Sequence, residues 1–202
     1  MSDERVIHAD ELPWSEQKTG ELFSHRRRQL SHAAGGQRLG CSMFELDPNA
    51  TAFPFHYHLG NEEALYVLQG EGTLRLGTER KRVRAGDYVA LPVGEDHAHQ
   101  LTNTGDQVLR YLVFSTMREP DAIVYPDSDK VGVIAGSAPG GPSDTRVLSA
   151  FFPRSAAVSY AHGEGNDTAE PEPDDDADEA AEIGARIDAE IEALKRKLGL
   201  DE

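Results

Sequence analysis

The sequence predicts an all-β fold, an antiparallel sandwich or barrel built from many short strands. Between Leu22 and Phe114 it consists of short runs that alternate or are rich in β-branched and aromatic residues, separated by Gly, Pro, Asn and Asp. No stretch of this region sustains the apolar period of a helix. Short strands at regular spacing are typical of antiparallel sandwiches and barrels.

The strand candidates follow one another with turn residues between them. Turns are predicted at Asp47-Pro48, Leu59-Gly60-Asn61 and Thr104-Gly105-Asp106. The candidate strands are QRLGCSMFEL, ALYVLQG, GTLRLG, KRVRAGDYVAL, HAHQLTN and QVLRYLVFST. The pattern weakens from residue 117 to 163, where YPDSDKVGVIAG and RVLSAFFP could add edge strands that wrap the barrel.

Four segments are expected along the 202 residues. They are an N-terminal extension (1–21), the barrel with its wrapping C-terminal strands (22–163), an acidic disordered linker (164–182) and an amphipathic helix (183–202). The linker carries ten acidic residues and no Lys or Arg, so it has little to bury. The helix is predicted from apolar residues spaced three or four apart, and it is expected to pack on the barrel, on a second copy or on a partner.

The charge balance disfavours two classes of partner. The formal net charge is −16 at pH 7, whereas nucleic-acid backbones and anionic membrane surfaces are bound largely through Lys and Arg. No nucleic-acid or membrane partner is therefore expected. The one basic cluster, Arg26-Arg27-Arg28, is interpreted as a solvated surface because alternate strand residues point to opposite faces.

Cysteine content and hydropathy predict a cytoplasmic protein. Cys41 is the single cysteine, so it excludes an intramolecular disulfide and fits a reducing compartment. No apolar run is long enough for a membrane span, and the N-terminus lacks the apolar segment of a signal peptide.

Residues 53–70, FPFHYHLGNEEALYVLQG, hold the first group of candidate metal ligands. Because side chains at i and i+2 of a strand point the same way, His56 and His58 project together. By the same alternation Glu63 shares a face with the apolar side chains that follow it. A glutamate at the head of an apolar inward row is costly unless an opposite charge compensates it, and a divalent metal supplies that charge.

A second histidine pair follows in GDYVALPVGEDHAHQLTN. His97, at the end of the turn formed by Pro92-Val93-Gly94, is the fourth candidate ligand. His99 shares its face if the strand starts there. His99 is either a hydrogen-bond donor behind the metal ligands or a general base, or else a partly buried polar side chain of the barrel wall.

Together the two stretches resemble the two signature motifs of the cupin superfamily. The first, read as G-x5-HxH-x4-E-x6-G, matches at His56, His58, Glu63 and Gly70. The second, read as G-x5-P-x-G-x2-H-x3-N, matches at Gly86, Pro92, Gly94 and His97.

Two positions depart from these motifs. Ala50 stands where the first glycine is usual, and Leu101 stands where the final asparagine is usual, with Asn103 two residues further on. Neither is a metal-ligand position, so the departures concern the turn geometry rather than the site.

The resemblance covers about residues 38–116 and implies a double-stranded β-helix, the jelly-roll cupin barrel. It implies that His56, His58, Glu63 and His97 meet inside one end of the barrel around one divalent transition metal, Zn, Mn, Fe or Ni. The mixed nitrogen and oxygen set suits such an ion and leaves positions open if the metal is five- or six-coordinate. A closed structural zinc site and a metal-free barrel are the alternatives.

The scaffold does not fix the reaction, because cupins include isomerases, epimerases, dioxygenases, decarboxylases, lyases and plain binding modules. The first interpretation is a small metalloenzyme, of isomerase or dioxygenase type, acting on a small oxygenated organic molecule such as a sugar or carboxylate. The second is a small-molecule binding or sensor module without catalysis, and a third is a purely structural barrel. A homodimer is expected, since cupin barrels commonly pair through their outer strands and exposed edges need covering.

The other histidines are assigned no role in the site. They lie among polar residues and are predicted to face solvent: His8, His25, His32 and His162.

Overall fold

The computed structural model describes residues 5–164. The chain divides into two compact units, Met1–Ala156 and Ala157–Glu202. Of the second unit, 157–164 is described, and it is an exposed stretch that ends in turns. The helix predicted for 183–202 and all but the first residue of the predicted acidic linker lie outside the described residues.

Antiparallel strands dominate the described part of the chain, as the sequence predicts. The strands are β1 (Ser15–Thr19), β2 (Phe23–Gln29), β3 (Gly40–Leu46), β4 (Tyr57–His58), β5 (Glu63–Gln69), β6 (Glu71–Leu76), β7 (Glu79–Arg84), β8 (Tyr88–Leu91), β9 (His99–Thr102), β10 (Leu109–Ser115), β11 (Asp121–Tyr125), β12 (Lys130–Ala135) and β13 (Leu148–Pro153). A single helical turn, α1 (Leu30–Ala33), and four 3₁₀ turns complete the elements of this part: Ala9–Glu11, Glu95–His97, Pro126–Ser128 and Arg154–Ala156.

The strands form three sheets, and every named strand pair is antiparallel. The largest sheet has the order β1-β2-β3-β10-β5-β8, the second the order β13-β12-β11-β4, and the third the order β7-β6-β9. Isolated bridges link the sheets: Thr51 pairs with Phe23 of β2 and with Thr102 of β9, and His56, next to β4, pairs with His99 of β9. Strands distant in the sequence therefore meet around one interior, as expected for a jelly-roll barrel.

The interior is lined by alternate residues of the central strands. Buried side chains from several strands form one core: Phe44, Leu46, Ala52, Leu65, Val67, Leu74, Val83, Leu91, Leu101, Leu109 and Tyr111. In β5, Leu65 and Val67 are buried whereas Tyr66 and Leu68 are exposed, so the alternation predicted for this strand is confirmed. Glu63 begins the same strand and shares the face of the buried pair.

Some elements differ from the predicted runs. KRVRAGDYVAL contains the end of β7 and the whole of β8, because Gly86 has a positive φ of 95° and turns the chain between them. β1 lies within the segment predicted as an N-terminal extension, and it pairs along β2 at the edge of the large sheet. No helix of the described residues is long and apolar enough to cross a membrane.

Gly70 and Asn103 fix the turns that close the barrel. Gly70 has a φ of 80°, and a Cβ at this position would lie 2.6 Å from the Val108 carbonyl oxygen, so only glycine fits. Asn103 is fully buried, and its amide donates to the carbonyl oxygens of Leu46 and Gln107, each at 2.8 Å. Its Oδ1 accepts the Gly105 N–H at 3.0 Å, so one side chain ties three backbone segments together.

We expect Asn103→Ala to lower the free energy of unfolding by about 2–4 kcal/mol, because it removes three hydrogen bonds and leaves buried backbone groups unpaired. Denaturant unfolding followed by circular dichroism measures the loss. Gln107→Ala is the matched control, since the Gln107 side chain is exposed and only its carbonyl takes part. Equal stability of Asn103→Ala and the control would contradict the role assigned to Asn103.

Candidate metal centre and its cavity

Four side chains meet at one end of the barrel. His58 ends β4, Glu63 begins β5 and His99 begins β9, and His56 is paired with His99 by a backbone bridge. The Oε2 atom of Glu63 lies 3.5 Å from Nε2 of His58 and 3.6 Å from Nε2 of His99. Ligand atoms of His56, His58 and Glu63 all lie within 4.8 Å of one another. The rings of His56 and His99 are 4.6 Å apart, which brings the third imidazole beside this group.

Each of the three imidazoles is held through Nδ1 by an acceptor. His56 donates its Nδ1–H to the Pro54 carbonyl at 2.8 Å, and His99 donates to the His97 carbonyl at 3.0 Å. His58 donates to Oδ2 of Asp121 at 2.7 Å, and the second oxygen of Asp121 accepts the Gly60 N–H at 2.8 Å. With the proton on Nδ1, the Nε2 lone pair of each ring is free. Metal-binding histidines are oriented in this way.

A cavity of about 540 Å³ extends from these side chains. Its walls include the apolar side chains of Leu65 and Leu91 and the ring of Tyr125, which stacks at 5.8 Å on the ring of His56. A volume of this size accommodates a small organic molecule.

Neighbouring groups of the site have pKa values that are shifted in opposite directions. Burial, reinforced by His99 and His58, lowers the pKa of His56 to about 3. Burial also disfavours the charged form of His58, but the Glu63 and Asp121 carboxylates outweigh it and raise the pKa of His58. Burial opposes ionisation of Glu63 too, yet the adjacent imidazoles lower the pKa of this carboxyl to about 2. The metal-free site therefore contains an ionised carboxylate among imidazoles.

The structure brings together three of the four predicted metal ligands, and His99 in place of His97. His97 ends the 3₁₀ turn Glu95–His97, and its side chain neither joins the group nor lines the cavity; its backbone carbonyl instead orients His99. One signal in the sequence favours His99. Asn103 follows it at the spacing of the second motif, so a two-residue shift restores both the histidine and the asparagine.

Asp121, which the sequence analysis does not single out, is hydrogen-bonded to the candidate site through His58. It is 2% exposed and lies 63 positions from His58, the imidazole that it orients. The pattern that singled out Glu63, a carboxylate at the head of an inward apolar row, also fits Asp121. Asp121 begins β11 and shares the face of Ile123 and Tyr125, which line the cavity. A carboxylate at the head of an inward apolar row occurs twice in this barrel.

One of the four outlying histidines is buried, contrary to the prediction. His8, His32 and His162 are exposed as predicted, but His25 is only 7% exposed and lines the cavity. Its ring packs 4.6 Å from that of Phe53, and its Nδ1–H donates to the Ala52 carbonyl at 3.2 Å. The strand alternation of β2 turns it inward, although its sequence neighbours are polar.

The donor set fits a first-row divalent metal. Imidazole nitrogen and carboxylate oxygen suit Zn, Mn, Fe and Ni, and the Nδ1 hydrogen bonds direct the free nitrogens toward Glu63. A divalent ion would also balance the buried negative charges of Glu63 and Asp121.

Comparison with known proteins gives one family and several relatives. Residues 42–115 match the family model described as a cupin domain. A quercetin 2,3-dioxygenase of Bacillus subtilis is 29% identical over 98 residues, which are 46% of this chain and 29% of the relative. An uncharacterized protein of Aquifex aeolicus is 33% identical over 60 residues, which are 30% of this chain and 48% of the relative. The chain thus spans less than half the length of either relative.

Solved structures confirm the fold. A sugar phosphate isomerase of the cupin superfamily from Silicibacter pomeroyi aligns with a TM-score of 0.64 at 21% identity, covering 77% of this chain and 97% of that one. A protein from Acidithiobacillus ferrooxidans, proposed to be a sugar phosphate isomerase, aligns with a TM-score of 0.65 at 22% identity, covering 77% and 96%. At these identities the likeness concerns the fold alone.

In the chelator-treated protein, His56 and His58 are expected to titrate on opposite sides of 6.5, the ordinary histidine pKa. The raised pKa of His58 means that its protonation stabilises the fold below about pH 6.5, and that this contribution is lost as pH rises through the folded-state pKa. NMR titration of the two imidazoles measures both values. Asp121→Asn should lower the pKa of His58, and titration of both rings together near 6.5 would contradict the separation of their pKa values.

Proposed function

The barrel of this chain is a cupin domain, and we propose that its cavity binds one divalent transition metal and acts as the active site of a small metalloenzyme. The observation that carries the proposal is the orientation of three imidazoles. Each donates Nδ1–H to a fixed acceptor, so that its Nε2 remains free beside the Glu63 carboxylate. His25, which also lines the cavity, donates its Nδ1–H in the same way but lies outside this group, so what favours a metal is the convergence of three imidazoles on one carboxylate.

The proposed ligands are His56, His58, Glu63 and His99. His97, expected from the motif spacing, contributes its backbone carbonyl instead of its ring. Four protein ligands leave one or two positions of a five- or six-coordinate ion open toward the cavity. When bound, the ion would supply Lewis-acid polarisation of a substrate oxygen or a binding site for dioxygen.

The chain itself would bind, orient and enclose the substrate. Leu65 and Leu91 give the cavity an apolar wall that excludes water from one side of a compact molecule. Asp121 holds His58 in one tautomer, which keeps the Nε2 lone pair available. With His99 placed among the ligands, it is no longer the candidate for a general base.

The substrate class proposed is a small oxygenated organic molecule, a sugar or a carboxylate. The reaction types are isomerisation or epimerisation, and oxygenation. The relative named as a quercetin 2,3-dioxygenase supports oxygenation, although this chain matches 29% of its length. The second candidate function is a small-molecule binding or sensor module, because the cavity would also suit a ligand that is bound without turnover.

Metal content shows whether His99 or His97 is the fourth ligand. We expect His99→Ala to lose most of the metal that copurifies with the wild type, since it removes a ligand, whereas His97→Ala should retain it because the backbone carbonyl remains. Elemental analysis of both variants, expressed in parallel, measures the difference. Retention by His99→Ala with loss from His97→Ala would restore the ligand set expected from the motif spacing, and no metal in the wild type even after reconstitution would defeat the metal site.

Asp121→Asn is expected to weaken metal affinity about 10- to 100-fold, because the amide no longer holds His58 as firmly as the carboxylate does. Competition with a chromophoric chelator measures the dissociation constant. Asp129→Asn is the control, since Asp129 is exposed and Asn tolerates its left-handed φ of 44°. Equal affinities for the two variants would remove Asp121 from the site.

The identity of the metal directs the choice between reaction types. About one equivalent of iron would favour oxygen chemistry, tested by oxygen uptake with candidate carboxylates and phenols. Zinc, manganese or nickel would favour Lewis-acid chemistry, tested by NMR of sugars in deuterated water for exchange of the proton beside a carbonyl. Saturable ligand binding without turnover in either assay would favour the sensor function.

A homodimer stays a prediction. The edge strand β13 exposes Phe151 and Phe152, at 54% and 40%, and a pairing partner would cover them. Light scattering of the full chain measures the oligomeric state.

A further inference from the structure

We infer that the wall of the same cavity contains an anion-binding subsite formed by Arg27 and Arg146, which takes a carboxylate or phosphate group of the ligand. The inference rests on the proposed function insofar as that ligand is the substrate of the metal site. It adds that such a substrate would carry an anionic oxygen group besides the atom that meets the metal.

The strand alternation of β2 directs Arg27 into the cavity. His25, Arg27 and Gln29 line the cavity. They are alternate residues of one strand, so their side chains point to the same side. Arg26 and Arg28 point the other way and are neutralised there: Arg26 pairs with Glu45 and Asp47. Arg28 pairs with Asp10 at 2.8 Å and lies over the ring of Trp14. The solvated surface predicted for the whole cluster is therefore wrong for Arg27.

Arg27 is half-buried, and no carboxylate of the described residues lies within salt-bridge distance of it. Its guanidinium donates to Ser42 Oγ at 3.0 and 3.1 Å and to the Gly140 carbonyl at 2.6 Å. These neutral acceptors satisfy hydrogen bonds but leave the positive charge without a counterion. A cation held away from bulk water without a counterion is costly unless a ligand supplies the opposite charge.

Arg146 brings to the same cavity a second cation that has no salt bridge with any residue from 5 to 164. It donates to the Pro139 carbonyl at 2.9 Å, and its buried Nε has no hydrogen-bond partner among the described residues. Both arginines line the same cavity. Burial, with Arg146 adding to it, lowers the pKa of Arg27 to about 10, and Glu63 opposes this effect. Two like charges facing one space are the arrangement expected around a shared anion.

The charges that line the cavity favour an anion although the protein is acidic. Its charged wall residues are Arg27, Arg146 and Glu63, two cations against one anion, while the chain as a whole carries −16. A divalent metal at Glu63 would add further positive charge. An anionic ligand is therefore attracted specifically to this cavity, and a neutral sugar would leave both guanidinium groups uncompensated.

Titration with inorganic phosphate and with acetate tests the subsite, using the full chain as isolated and after chelation. We expect saturable binding of at least one anion, weakened about 10-fold or more by Arg27→Gln and by Arg146→Gln. Arg26→Gln is the matched control, one residue away on the outer face, and it should change the dissociation constant less than about 2-fold. Preference for phosphate or for acetate identifies the kind of anionic group.

Three outcomes would overturn the inference: no saturable binding of either anion by the wild type, equal weakening by Arg26→Gln, or binding unaffected by both cavity variants. Thermal melts of each variant check for loss of structure, since Arg27 also ties the Gly140 segment to β2. Arg27→Lys, which keeps the charge, should retain part of the binding if the charge is what matters.

The anion subsite and the metal site fail in distinguishable ways. Anion binding that depends on Arg27 in a protein that takes up no metal would refute the proposed metalloenzyme and keep the subsite. Metal binding without any anion binding would refute the subsite and keep the proposed metal site.

Discussion

The structure of the site depends on one constraint, the presence of an ionised carboxylate inside an apolar barrel. Glu63 heads the inward row of β5, where a charge without partners would be expensive. Its neighbours are imidazoles that can share a proton or a metal with it, and His58 stands between Glu63 and a second buried carboxylate, Asp121. The site is therefore electrostatically incomplete without a cation, whether that cation is a proton on His58 or a bound ion.

The barrel satisfies this constraint by bringing the imidazoles and the second carboxylate to Glu63 from separate strands. The backbone bridge between His56 and His99 fixes the spacing of two imidazoles, and β11 brings Asp121 behind His58. Each imidazole is thus held by the fold at both its backbone and its Nδ1 atom. A site held in this way is preorganised, which lowers the cost of ordering the ligands when a metal or substrate binds.

The cavity holds two kinds of polar group. Glu63 and the histidines are the metal ligands proposed above, and Arg27 and Arg146 are the cations of the inferred anion subsite. Apolar side chains such as Leu65 and Leu91 line the same cavity. A ligand that meets both groups would carry an oxygen donor at one point and an anionic group at another, a stricter description than the cupin scaffold alone provides.

The sequence by itself determined the all-β class, most of the central strands, the inward face of β5 and three of the four clustered side chains. Alternation is a local property, so His56, His58 and Glu63 could be placed on one face from their spacing alone. Which residue supports or completes the group depended on the tertiary structure. The 3₁₀ turn Glu95–His97 rotates His97 away and His99 inward, and Asp121 meets His58 only because β11 pairs with β4. Contacts across such sequence separations are set by strand pairing and turn geometry, which the period of a single strand does not encode.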